Sequence, residues 1–383
     1  MNTEGLETDL GNGGVQVDFP DRKIPMEQIM SLGFQRELPS GIVLDMKYAG
    51  NFTSRLRTFL WINGTATLAQ ENAFIANPQT ANQQLPNPYY GVAGMSGPGQ
   101  CGTGTTVEAI SLLLPLSQYC SPGNTGLVGE YNSPRGRNWY DGLEVKLSRR
   151  VYGRSGHGLS TQVAYTYSKT MNGDGYQNGW PNQDVEQEHW IAGTDRTNVL
   201  SATSVWDLPI GKAGYVLSNP DHLVGTVVND WTLSGVFNAQ SGTPVGVNTG
   251  YYYTCPGTSY RPTNGTSIGQ GHWFAANTSC WQRIPSYGNG NLEGVTTAVR
   301  NPTVPTLDFS LQKSTPIRDN FTFVLRLDTF NAMNNVLFGG PNTDPSSGPA
   351  TFAPNSGWTG FGTVGPQQNN FPRVLQVSGK IAF

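Results

Sequence analysis

The chain has 383 residues, only 13% of them charged and 37% hydrophobic, with 48 Gly, 26 Pro, 16 Tyr, 16 Phe and 9 Trp. A formal net charge of -3 and a pI near 5.8 leave no basic stripe for nucleic acid. No stretch approaches the roughly 18 to 20 consecutive apolar residues of a membrane helix, so any bilayer crossing falls to paired strands. A mean hydropathy of -0.37 agrees with that route, because barrel strands are only half apolar and their loops are polar.

Residues 1–25 are irregular, with Gly, Asn and Asp scattered through them and at most one short strand around Val15 to Phe19. From there, apolar residues recur at every second position in pairs of segments, the signature of strands that alternate between two faces. The first pair spans about 27–37 and 41–50, joined by Leu38-Pro39-Ser40, with Ile42, Leu44, Met46 and Tyr48 against Val43, Asp45 and Lys47. A second pair, about 138–150 and 158–170, sets Leu143, Val145 and Leu147 against Glu144 and Lys146, and Val163, Tyr165 and Tyr167 against Gln162, Ala164 and Thr166. The third, about 197–208 and 226–241, has Trp231, Leu233, Gly235 and Phe237 opposite Thr232, Ser234 and Asn238. In the fourth, Leu307, Phe309 and Leu311 oppose Asp308, Ser310 and Gln312, and Phe321, Phe323, Leu325 and Leu327 oppose Thr322, Arg326 and Asp328.

The chain closes on VLQVSGKIAF, in which Leu375, Val377, Gly379, Ile381 and Phe383 share one face and Gln376, Ser378, Lys380 and Ala382 the other. A C-terminal aromatic after such a strand resembles the signal read by the bacterial barrel assembly machinery. Turns within pairs are short, whereas the segments at about 51–137, 171–194, 242–305 and 334–371 are long. That asymmetry is expected of a barrel wall with short periplasmic turns and long external loops. A soluble β-sandwich accounts for any one pair, with its polar row simply facing out. It fits four repeats of short turn against long loop less well. The expected fold class is therefore all-β, an antiparallel transmembrane outer-membrane β-barrel over residues 26–383. Nine strands are an odd number, and bacterial single-chain barrels close on an even one, so the wall is expected to be incomplete.

At YDGLEVKLSRRV, GLSTQVAYTYSKT, NDWTLSGVFNAQSGTPV and RLDTFNAMNNVLFG, the chain resembles the C-terminal barrel part of TonB-dependent receptors, specifically the Oar-like group. MSLGFQRELPSGIVLDMKYAGN, HWFAANTSC and VRNPTVPTLDFSLQKSTPI resemble that family's first hairpin and its approach to the last one. The resemblance implies a portion of a larger barrel of about 22 strands with a plugged lumen. It also implies ligand uptake across the outer membrane, driven by an inner-membrane energy complex acting on the plug. The plug, energy-coupling box and signal peptide of that family are not recognisable in these residues. MNTEGLETDLGNGG lacks a basic n-region and an apolar core, so a fragment or truncated frame is the expectation. The implied partners are outer-membrane lipid, the assembly machinery, the TonB complex through the plug region, and an unidentified ligand.

Ligand recognition in such a receptor would sit in the long segments. Tyr251, Tyr252, Tyr253, Tyr260, Trp273, Phe274, Trp281 and Tyr287 cluster in the third. Rings beside Asn, Gln and Ser suit a carbohydrate or a peptide, but an interfacial girdle or packing of the loop against itself is the favoured reading of the same rings. Cys101 and Cys120 bracket one stretch, and Cys255 and Cys280 another. Local pairing is the natural reading, each bridge contributing ~3 kcal/mol in the chain-entropy picture, although four cysteines permit three connectivities. A metal site has little behind it, with no CxxC and His272 as the only nearby imidazole.

Other chemistry is sparse. Asp184, Glu186, Glu188 and His189 form an acidic run that could bind a cation or a cationic ligand, but it is best read as a solvated loop tip. Arg149, Arg150 and Arg154 read as rim charges, and Asp195-Arg196 as a structural acid–base pair at the start of a strand. Sequons at Asn51, Asn63 and Asn264 matter only in a host that glycosylates secreted proteins. There is no nucleophile elbow, phosphate loop or zinc signature, so neither a catalytic residue nor a cofactor is expected. Two other classes compete with the receptor reading: a surface or adhesive barrel that only anchors its loops, and a secreted lectin-like β-sandwich.

Overall fold

A computed structural model describes residues 15–18, 23–61, 73, 76–96, 101–113, 117–119, 128–149, 158–173, 189–212, 214–246, 250–255, 271, 273, 278–283, 295–318 and 320–383. Nine long strands form its wall: β1 Met26–Leu38, β2 Ile42–Trp61, β3 Val128–Arg149, β4 Leu159–Gly173, β5 Asn198–Asp207, β6 Trp231–Gln240, β7 Thr306–Arg318, β8 Phe321–Phe330 and β9 Val374–Ala382. Each pairs antiparallel with its neighbours in chain order, from β1 at one edge to β9 at the other. Two short strands attach beside this path: Val15–Asp18 pairs parallel with the first residues of β3, and Trp190–Ile191 pairs with the end of β4.

Register carries the alternation across the whole sheet. Leu159, Trp206, Leu233, Leu311, Leu327 and Val377 are successive cross-strand partners. Further toward the long loops, Phe34, Met46, Val145, Tyr165 and Leu200 form a second such row. A slip of one residue in any strand would send its apolar set to the opposite face, so each row checks the register of all the strands it crosses. The opposite face carries a mostly polar row through Ser160, Ser234, Ser310, Asp328 and Gln376, interrupted by Val205.

Much of the apolar face is uncovered among the described residues. Leu32, Phe34, Leu143, Tyr167, Leu325 and Val377 are all exposed, a patch far larger than a soluble domain leaves to water. It is bounded by amphipathic rings. Tyr48, Tyr165 and Tyr167 stand toward the long loops, where the Tyr48 hydroxyl donates to Asp141 and that of Tyr165 to Asn198 Oδ1 at 2.6 Å. Trp206 and the Phe321–Phe383 pair, ring centroids 6.1 Å apart, stand toward the short turns. From Leu159 to Tyr167 the strand covers about 26 Å at ~3.3 Å per residue, close to the 25 Å of an outward apolar band before tilt.

Strand lengths differ from the sequence expectation in two places. β2 and β3 have 20 and 22 residues where a crossing needs about 9 to 11, so the first long connection starts at residue 62 rather than 51. The pair projects roughly 30 Å past the bilayer. Its register shifts repeatedly there, between Ser54 and Leu60, with Arg55 at φ 58°, as bulges do where a strand leaves a regular sheet.

The second difference is at residues 226–230, expected to begin a strand. His222–Val228 is a helix instead, and Asp230 takes φ 56°, which breaks extended backbone before Trp231. The connection from β5 to β6 is thus a folded insertion rather than a short turn. At the first hairpin the turn is tight: Ser40 and Gly41 both take φ 69°, the left-handed conformation that reverses a twisted ribbon.

Leu325 faces outward and its neighbour Arg326 inward, where its Nε donates to Asp328 Oδ1 at 2.8 Å. Leu325→Arg is expected to lose outer-membrane assembly, since a midplane Arg costs about 2 to 4 kcal/mol on the lipid face, while Arg326→Gln assembles. Heat-modifiable mobility on a gel checks this; equal behaviour of the two variants would contradict the assignment of faces.

Candidate functional site: the polar inner face and its loop cap

Two regions carry the polar chemistry of the wall. The first is its inner face, where Asp45 stands opposite Lys146 and Lys47 opposite Glu144 in the β2–β3 register. Alternating signs across a ladder hold the charges in place while leaving them wet. Farther round, a concavity of about 620 Å³ is lined by Lys146, Gln162, Thr203, Ser234, Asp308, Arg326 and Asp328 among others. Both signs of charge and several hydroxyls converge there. Such a surface can hold water, a polar peptide segment or a hydroxylated solute.

The second region caps the long-loop end. Val245, Cys280, Trp281, Val299 and Phe361 form a buried core, against which Tyr251, Tyr253, Cys255 and Trp273 pack. Strand Tyr251–Tyr253 pairs with Trp281–Arg283, and Pro244–Gly246 pairs with Val295–Arg300. Trp281 meets Tyr253 edge-on at 5.3 Å and Phe361, from the connection between β8 and β9, at 5.0 Å. Trp273 donates from its backbone N to Gly362 O at 2.9 Å and from Nε1 to Arg300 O at 2.7 Å. These rings glue two connections together, and Trp281 is 7% exposed.

A third connection joins through one ion pair. Asp195, with no exposed side-chain surface, receives Arg300 Nη2 at 2.7 Å. It also accepts from Thr170 N at 2.8 Å and from the Thr197 hydroxyl at 3.0 Å. Arg300 donates further to the carbonyls of Asp195 and Gly242 and to the Thr197 hydroxyl. The structural role expected for Asp195 and Arg196 takes the form of two separate sets of bonds. The partner of Asp195 lies 105 residues away, while Arg196 Nη1 donates to Ser241 O at 3.2 Å. Burial explains the choice: a carboxylate taken out of water needs a fork of donors aimed at it, and adjacent side chains on an extended segment point apart.

The motif FNAMNN has a related role. Asn331 is 8% exposed and bonds Asn335 O, Phe371 O and, through its backbone N, Asp308 Oδ1. Asn335 in turn donates to Pro305 O at 2.7 Å. The entry to β7, the exit of β8 and the approach to β9 are thus tied at one point. Neither Arg300 nor Asn331 was singled out by sequence, although both lie within the stretches that carry the family resemblance.

The other expected residues fall as follows. Cys255 and Cys280 are bridged, with Cα atoms 5.2 Å apart. Cys101 is disulfide-bonded and buried, while Cys120 lies outside the described residues. Tyr252 is described in its backbone only, and Tyr260, Phe274 and Tyr287 lie outside, as do His272, Asp184, Glu186, Glu188, Arg150, Arg154, Asn63 and Asn264. His189 stacks edge-on against Trp139 at 4.7 Å. Asn51 is within β2, and Arg149 ends β3 at the short-turn rim. Leu375, Val377, Gly379 and Ile381 lie on the outward face of β9, in register with Thr329, Leu327, Leu325 and Phe323. The Phe323 ring lies close over Gly379.

An outward apolar band, an inward polar row and a meander of antiparallel strands define an outer-membrane β-barrel wall. The sequence matches the outer membrane beta barrel domain family over residues 3–376, and the chain belongs to that family. Among solved structures it is similar to the outer membrane transporter YddB from Escherichia coli, at 9% identity and a TM-score of 0.42. That similarity covers 97% of this chain and 34% of the transporter, so the chain spans about a third of its length. No curated protein matches the sequence.

Two outcomes test the cap. Arg300→Met strands a buried carboxylate and is expected to destabilise the cap by ~3 kcal/mol, read as faster proteolysis of the 242–305 connection in intact membranes with unchanged heat-modifiable mobility. Replacing Cys255 and Cys280 together by Ser removes ~3 kcal/mol of loop closure and should expose the same connection to protease while the wall still assembles.

Proposed function

We propose that this chain is the wall and loop portion of a TonB-dependent, Oar-like receptor. It would take part in ligand binding and uptake across the outer membrane when plug and signal regions accompany it. The observation that carries this reading is the inner face. A wall that turns Lys146, Asp308, Arg326 and Asp328 inward needs water or a polar plug against it. The segments that resemble that group, in order along the chain, support the same reading.

The sheet edges bear on how much wall is needed. β1 and β9 are exposed along almost their entire length, and each pairs on one side only among the described residues. Unpaired peptide groups in hydrocarbon cost several kcal/mol each, so both edges would pair with further strands. About 22 close a plugged transporter of this group. In this reading the wall meets outer-membrane lipid and is inserted by the barrel assembly machinery through β9. The TonB complex acts only through the plug, and the loops gather a carbohydrate or peptide ligand. No catalytic step and no cofactor belong to it.

One observation favours a second reading. Three long connections are locked together by Arg300, Trp273 and Trp281, which is also how a non-transporting adhesive barrel would present a rigid outer surface. The two readings separate on the size and plug content of the native protein. An antibody against residues 306–383 is expected to detect, in outer membranes, a heat-modifiable band far above 41.4 kDa. A band near 41.4 kDa in that fraction would instead favour a short porin or adhesin, and a soluble band would end the membrane reading.

A further inference from the structure

At the short-turn end, residues 208–230 differ from the tight hairpins in carrying the helix His222–Val228. This insertion is an ordered structure. Its Asn229 side chain accepts from Lys212 N at 2.9 Å, Asn229 N donates to Gly225 O at 3.0 Å, and Leu208 N donates to Trp231 O at 2.8 Å. Gly225 is buried against Asn229 and Pro220.

The wall determines which side of the sheet the helix occupies. Trp231 and Lys313 are register partners on the outward row that also holds Leu233 and Leu311. Trp231 Nε1 donates to Val227 O at 2.8 Å, and Lys313 Nζ donates to Asn229 O at 2.6 Å. Side chains that point outward therefore hold the helix C-terminus, and the helix hangs on the outside of the wall at its rim. Leu223 is 82% exposed, Val227 64% and Val224 45%. Positions 223, 224 and 227 fall on one side of a helix. The same connection also exposes Tyr215, Val216 and Leu217.

We propose that His222–Val228 is a membrane foot, lying in the plane of the leaflet on the short-turn side with Leu223, Val224 and Val227 against phospholipid at the boundary between headgroups and acyl chains. Continuity identifies the occupant. The helix extends the outward apolar face of a family built to sit in lipid, and it hangs from a Trp, the residue type enriched at membrane interfaces. In-plane helices bind by the same combination of an apolar side turned to the acyl boundary and a polar side turned to water. The foot would set the depth and tilt of the wall, which strand alternation alone leaves free to slide by a residue's rise.

The inference rests on the outer-membrane assignment, and its test separates the two. Full-length protein carrying Leu223→Cys, Val227→Cys or, as a wall control, Tyr165→Cys would be labelled with an environment-sensitive fluorophore. Cys101, Cys255 and Cys280 are disulfide-bonded and do not react. Each variant would be folded into phosphatidylethanolamine–phosphatidylglycerol vesicles containing lipids spin-labelled either near the headgroup or deep in the chain. The 223 and 227 labels should emit at shorter wavelength than in water and be quenched about twofold more by the shallow spin label than by the deep one. Water-like emission from both, unaffected by either lipid while the 165 label is quenched, would place the helix in water or against protein and overturn the proposal. If the 165 label is also unquenched, the wall is not in the bilayer and the proposal falls with it. Because all three sites are exposed, loss of folding is not the expected result, and heat-modifiable mobility verifies each variant.

Discussion

A peptide group in hydrocarbon has no water to bond, and nearly every other feature of this chain follows from that constraint. Strands must satisfy their N–H and C=O groups sideways, so each lies against a neighbour and the sheet propagates without a break from β1 to β9. Once paired, a strand has one face to lipid and one to the lumen, and the side chains follow at every second residue. The outward row through Leu233, Leu311 and Leu327 and the inward row through Ser234, Ser310 and Asp328 are two consequences of the same ladder.

Beyond the bilayer the constraint relaxes and different physics governs. Water can satisfy the backbone there, and the chain uses that freedom for bulges in β2 and β3, positive φ at Arg55 and short accessory sheets. Order must then come from somewhere else. On the long-loop side it comes from a small apolar core around Trp281 and Phe361, a disulfide, and one buried ion pair between Asp195 and Arg300. On the opposite rim it comes from the helix His222–Val228 anchored on Trp231 and Lys313. Among the described residues the buried hydrophobic side chains lie in the connections rather than in the wall strands.

The loop aromatics illustrate how composition and position diverge. Tyr, Trp, Asn and Ser side by side have the makings of a recognition surface, yet Trp281 and Trp273 act as the packing and hydrogen-bonding elements that join two connections. Packed in this way, the rings tie the connections that carry the polar residues around them.

The wall strands, their order, their facing and the asymmetry of short and long connections were legible in the sequence, because a period of two is a local property and lipid imposes it on every strand. The first tight turn was legible to within a residue, expected at Leu38-Pro39-Ser40 and found at Pro39–Gly41, being settled by a few residues. What only the tertiary structure decided are relations with no local signal: that Asp195 pairs with Arg300 rather than with adjacent Arg196, that Asn331 ties three elements together, and that Trp281 is buried by a ring from another connection. Residues 226–230 were expected to begin a strand, but His222–Val228 is helical, with Asp230 at φ 56° and Trp231 Nε1 bonded to Val227 O. Long-range hydrogen bonds and burial depend on which segments the wall brings together. The pattern along the chain specifies the wall, and the wall then selects the partners.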